Sequence, residues 1–173
     1  MTDTRRNIPQ RAADVVRDAG GRVVGRTRLQ KIACLLELTD LGDGFDFDYR
    51  HFGPFSEALA SAARDADALG ILDETEHETD WGGWYSIYTA DGRSQHNISA
   101  NRAQLAAAAA EADAVELELA VTAAFLADRG ELDPWASTGK LKPSKAAEGR
   151  LAKAKQLYGR LQSIPVPKEL PRI

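Results

Sequence analysis

Glycine cuts the first 92 residues into short pieces, and that punctuation limits what the chain can build. Gly20-Gly21, Gly42, Gly53-Pro54, Gly70, Gly82-Gly83 and Gly92 each follow or interrupt an apolar pattern, where a residue free to adopt positive φ ends a helix or turns a hairpin. Each piece is long enough for one helix or one short strand. Residues 7–19 place Ile8, Ala12, Val15, Val16 and Ala19 three and four apart behind Pro9, a helix. Thr27 is the expected cap of a second helix, whose Leu29, Ile32, Ala33, Leu35 and Leu36 cover a stripe about 160° wide. Phe45, Phe47 and Tyr49 alternate with Asp46, Asp48 and Arg50 as in a half-buried strand. Gly53-Pro54 turns the chain, and Ser56 starts a third helix over Glu57–Leu69. Residues 71–74 and 84–89 read as two strands of a hairpin with a long polar tip.

Helices are expected at about 98–113, 115–129 and 144–162, and the proline-rich end, 164–173, as an extended tail with no partner visible. The Ala-dominated stretch 103–124 is interrupted by Glu111, Asp113, Glu116 and Glu118, so no bilayer-spanning helix is expected. Residues 1–10 carry Arg5 and Arg6 with no apolar run after them, which makes the cytoplasm the default compartment. At 173 residues the chain fits one domain with a helical half appended. The fold class predicted is α+β, mostly α. A winged-helix-like region with a two-stranded hairpin occupies 1–95, and a helical extension over 96–163 packs on it.

More specific than element order are Arg28-Leu29-Gln30-Lys31-Ile32, Phe47, His51-Phe52-Gly53-Pro54-Phe55-Ser56 and Leu69-Gly70-Ile71-Leu72. Together they resemble the signature of the YwgA-like group and the related Panacea (SocA-type) antitoxin domain. There a Leu-Gln-Lys helix precedes an aromatic strand, a Tyr-Gly-Pro-Tyr/Phe-Ser turn and a helix ending in Gly-Leu/Ile. Phe52 stands where those families usually carry tyrosine. The resemblance implies a winged-helix-like fold and a place among small prokaryotic regulatory or toxin-neutralising proteins, and it implies no reaction. Leu29 and Ile32 are expected in the core, Gly53-Pro54 as a turn and Ser56 as a cap, whereas Gln30 and Lys31 lie off the apolar stripe.

Net charge is −4, but its placement matters more. Residues 1–31 carry +5, 32–92 carry −12, 93–130 carry −2 and 131–173 carry +5. Duplex reading by the third helix needs cations for phosphates and donors for base edges. That helix instead offers Glu57, Ser61, Arg64, Asp65 and Asp67, and the hairpin adds Glu74, Glu76, Glu78 and Asp80. A sequence-specific DNA-binding regulator is therefore the alternative reading. A basic face is expected from Arg22, Arg26, Arg28 and Lys31, joined by Lys140, Lys142, Lys145 and Lys153 if the two clusters converge.

Enzymatic patterns are absent. His51, His77 and His96 are scattered, the single cysteine Cys34 has apolar neighbours, and Asp40, Asp43, Asp46 and Asp48 lack calcium-loop order. No catalytic residue, metal site or cofactor is expected. The expected function is a non-catalytic prokaryotic regulatory or protein-interaction module of antitoxin-like type, whose partner is another protein. The contact residues predicted are Arg26, Arg28, Gln30, Lys31, His51, Phe52 and Phe55, with the hairpin aromatics Trp81, Trp84, Tyr85 and Tyr88 next in line. Of Phe52 and Phe55, one is expected in the core.

Overall fold

The chain runs α1 (Ile8–Asp18), β1 (Arg22–Val24), α2 (Arg26–Leu38), β2 (Asp48–Arg50), β3 (Gly53–Phe55) and α3 (Glu57–Ala68). The hairpin β4 (Asp73–Glu78) and β5 (Trp84–Thr89) follows, then α4 (Ala100–Glu111), α5 (Ala114–Asp128), α6 (Pro134–Leu141), α7 (Pro143–Ala146) and α8 (Arg150–Gln162). This computed structural model describes residues 7–96 and 100–173, so the start of the helix expected from residue 98 lies outside the described residues. The architecture is α+β and mostly α-helical.

Local chemistry accounts for the element ends. Asn7 and Gln10 form a capping box at the start of α1, each side chain accepting the other's N–H. Ser56 caps α3 by accepting the N–H of Leu59, and Asp113 caps α5 by accepting those of Val115 and Glu116. α2 departs from expectation: it begins at Arg26, and Thr27 is already inside it. Gly25, at φ +101°, makes that possible by turning β1 straight into the helix. Its N–H donates to the Ser86 carbonyl at 2.7 Å while its own carbonyl accepts the N–H of Leu29.

β1 was not foreseen, since three residues are too few for a pattern. It pairs antiparallel with β5, Val23 opposite Tyr88, and the sheet order is β1-β5-β4. β4 begins later and runs further than expected, so Glu76, His77 and Glu78 belong to the strand and the tip shortens to residues 79–83. The aromatic strand also shortens. Phe45 and Phe47 are buried but lie outside any ladder, because the Phe45 N–H donates to Glu37 Oε1 and the Phe47 carbonyl accepts from Arg129. Only Asp48–Arg50 pairs, with Gly53–Phe55, so Gly53-Pro54 is the returning strand and His51-Phe52 forms the turn.

α2 is the central helix, packed against α1, α4, α5 and β3. The core that surrounds it runs continuously from Val16 and Ile32 through Leu59 and Leu105 to Leu119, Leu157 and Leu161. Arg102 of α4 is fully buried and ties three segments together: Nε meets Asp18 at 2.6 Å, Nη2 meets Asp43 at 2.8 Å, and Nη1 donates to the Leu41 carbonyl. Asp43 is therefore no part of a solvated turn. The tail corrects a further expectation, since Ile164 and Leu170 are buried, the Lys168 N–H donates to the Thr39 carbonyl, and Tyr158 donates its hydroxyl to the Pro171 carbonyl. Among the described residues no helix is long and apolar enough to cross a membrane.

Candidate functional site

The turn between β2 and β3 is held against α5 so closely that only glycine fits at its base. Gly53 has φ +86°, and a Cβ there would lie 2.7 Å from Thr122 Oγ1. With the turn seated, the motif residues of α2 are consumed from beneath. Gln30 is buried and clamps Ser56 from both sides: its Nε2 donates to the Ser56 carbonyl at 3.0 Å and its Oε1 accepts the Ser56 N–H at 2.8 Å. Lys31 is 1% exposed and donates from Nζ to the Pro54 carbonyl at 2.9 Å. Both were expected to face outward. They face inward because α2 is covered on all sides, so its polar flank is interior as well.

Below Lys31 lies a charge cluster that rests on a glutamate the sequence marked as a break in the Ala-dominated stretch and not as a site residue. Glu118 of α5 is buried and takes Lys142 on Oε1 and Lys145 on Oε2, each at 2.6 Å. The N-terminal and C-terminal basic clusters thus do converge, at Lys31, Lys142 and Lys145, but Lys31 and Lys142 are buried and Lys145 is half-buried. Burial lowers the Lys31 amine to about 8; Glu118 opposes that shift, and the two neighbouring lysines add to it. Burial pushes the Cys34 thiol up to about 12 against the nearby Lys31, so it is no reactive thiolate. A glutamate on the apolar side of α5, in Leu117-Glu118-Leu119, was the available signal.

Arg28 and Arg26 of the expected basic face are also engaged, whereas Arg22, Lys140 and Lys153 are exposed. Arg28 donates from Nε to the Val24 carbonyl and from Nη1 to the carbonyls of Ala110 and Ala112, closing the C-terminal end of α4. Arg26 pairs with Glu74 at 2.8 Å and Glu76 at 3.1 Å on β4. No continuous basic face exists there. What surrounds the site is acidic: from residue 57 to 80 eight carboxylates accompany Arg64 as the one arginine or lysine, and Glu57, Asp65, Asp67, Asp73, Glu76, Glu78 and Asp80 are exposed.

Between these elements is a groove of about 370 Å³. α2 supplies Arg26, Thr27, Leu29, Gln30 and Lys31; α3 supplies Ala60, Ala63 and Arg64; the hairpin supplies Glu74 and Tyr88; the β2–β3 unit supplies Phe52 and Phe55. Alanines on the facing side of α3 leave the space open. Phe55 is half-buried, with the Arg50 guanidinium 5.8 Å from its ring centre, and Phe52 is 60% exposed with Lys145 Nζ 5.3 Å from its ring. Neither ring is in the core. His51 lies outside this groove, on a shallower hollow with Tyr49, Arg50 and Leu141.

At the hairpin side, burial would raise the Glu74 carboxyl, but hydrogen bonds from Ser86 and Arg26 outweigh it and hold it below its ordinary value. A second hollow of about 270 Å³ lies beyond Arg26, bordered by Gly25, Arg28, Glu76, Trp84, Tyr85 and Ala114. The C-terminal helices do not cover the hairpin tip: Trp81 is 84% and Trp84 67% exposed. Ser86, Ile87 and Tyr88 are buried, so the strand is split by position along its length rather than by face. Among the described residues no group of three or more His, Cys, Asp or Glu side chains gathers to hold a metal ion. No protein-family model matches the sequence, and no curated protein matches it significantly.

Proposed function

We propose that the chain is a non-catalytic, cytoplasmic regulatory module of winged-helix-like build that binds a partner protein through the groove beneath Phe52. One observation carries the reading: Arg26, Gln30, Lys31, Phe52 and Phe55, five of the seven contact residues expected from the sequence, line a single groove with an exposed phenyl ring at its mouth. An aromatic ring at the rim of an apolar hollow is the usual anchor of a protein interface. Gln30, Lys31, Phe52 and Phe55 also belong to the motifs that carry the resemblance to the YwgA-like and Panacea proteins, which supports an antitoxin-like role.

The winged-helix-like reading draws on the order α1-β1-α2-α3-β4-β5, interrupted between α2 and α3 by the separate β2–β3 pair, with β1 completing a three-stranded sheet. Duplex reading is disfavoured because seven exposed carboxylates on α3 and the hairpin would approach phosphates. The test is affinity capture from the native host at low salt, with and without nuclease, comparing the parent with Phe52→Ser. A protein that survives nuclease and is lost with Phe52→Ser is the expected result. Selection of an enriched duplex motif by the parent, weakened by Arg64→Ala, contradicts the reading.

A further inference from the structure

Arg26 is the one α2 side chain of the groove whose charge is held by an exposed pairing. Gln30 and Lys31 are buried on backbone partners and Arg28 closes α4, whereas the Arg26 side chain is 65% exposed and held from the hairpin side alone. It also stands in the first turn of α2, which has no carboxylate there and no capping side chain, so the helix dipole repels it. Exposed ion pairs of this kind contribute little to stability.

Its partner Glu74 is the opposite case. The carboxylate is 10% exposed and additionally accepts the Ser86 hydroxyl at 2.7 Å, a bond from its own sheet that does not involve Arg26. Arg26 and Thr27 border both hollows. The guanidinium is therefore a bar across one longer trough that runs from Phe52 to Trp84.

The geometry points to a cation-accepting site for a basic partner segment, which Arg26 occupies in the free protein. Resting on the interaction reading above, the segment lays apolar side chains in the two hollows and sets an arginine or lysine on Glu74 and Glu76. Arg26 then turns out to solvent. Charge complementarity on the α3 and hairpin side selects this occupant: Glu74 and Glu76 line the hollows, Glu78 follows at the next alternate position of β4, and α3 exposes Glu57, Asp65 and Asp67 beside the single arginine Arg64. Trp84, exposed at the far end, offers a ring face to a second cation.

The probe is a hexapeptide of alternating leucine and arginine, with a leucine–glutamate hexapeptide as control. Both are titrated into the full chain, into Arg26→Ala and Arg26→Gln, and into Glu74→Gln. The parent is expected to bind the arginine peptide and not the glutamate one. Removing the internal competitor tightens binding by up to about five-fold, the ceiling set by an exposed ion pair, and Glu74→Gln weakens it by at least about that factor. No binding by any variant, equal binding of the glutamate peptide, unchanged or weaker binding by both Arg26 variants, or indifference to Glu74→Gln overturns the proposal. Such an outcome leaves Phe52-dependent capture standing. Loss of that capture with the peptide results intact overturns the interaction reading instead.

Discussion

Lys31 is a cation in a core position, and its environment has a measurable consequence. Its amine falls from 10.5 to about 8 because the charged form is desolvated. A lowered basic group binds fewer protons in the folded than in the unfolded state between those values, so folding strengthens as pH rises through them. The interval corresponds to on the order of 3 kcal/mol. Lys31→Met keeps the volume and removes the titration. The stability of the parent relative to Lys31→Met is therefore expected to rise from pH 7 to pH 10 in chemical denaturation, and a flat difference contradicts the assignment. The Cys34 thiol titrates in both proteins and cancels. Leu29, Ile32 and Leu35 were legible from their spacing, but Lys31 was not: a helical wheel sorts one helix against one neighbour, and α2 has neighbours on every side.

Among the elements, α1, α3 and the β4–β5 hairpin could be read because each carries its own signal: a cap, a glycine stop or a run of aromatic and β-branched residues. β1 and α6 could not. β1 is three residues long, and α6 rests on an Asp133 cap with Pro134 behind it, a start without a long apolar period after it. The join between α2 and α3 depends on a long-range contact that leaves no trace in periodicity. Gln30 fills both the N–H and the carbonyl of Ser56, the residue that caps α3. Gln30→Ala leaves the buried Ser56 N–H without a partner and the Ser56 carbonyl with the Ala60 N–H alone, at about 1–3 kcal/mol. A loss of about 1–3 kcal/mol in urea unfolding is expected, whereas a change below about 0.5 kcal/mol would place the clamp among neutral surface contacts. Gln30→Glu keeps the acceptor but sets a buried carboxylate oxygen against the Ser56 carbonyl, and should cost more than Gln30→Ala.

Over the whole molecule, segment charge predicted one surface correctly and misplaced another. The acidic middle remains a surface because α3 and β4 expose their carboxylates, whereas Arg26, Arg28 and Lys31 of the basic start are absorbed into ion pairs, a helix end and the interior. Exposed cations gather on the last helices, at Lys140, Arg150, Lys153, Lys155 and Arg160. The molecule therefore offers an acidic, apolar-floored trough on α3 and the hairpin and a basic surface on the α6–α8 segment. The central claim concerns the trough, and a photo-crosslinking phenylalanine analogue tests it where the partner must touch. Installed in place of Phe52, and separately in place of Leu132, which is 99% exposed between α5 and α6 and lines neither hollow, the analogue is activated in the native host. The account predicts one nuclease-resistant protein adduct from position 52 and none in common with position 132. A nucleic-acid adduct at position 52, or the same adducts from both positions, would contradict it.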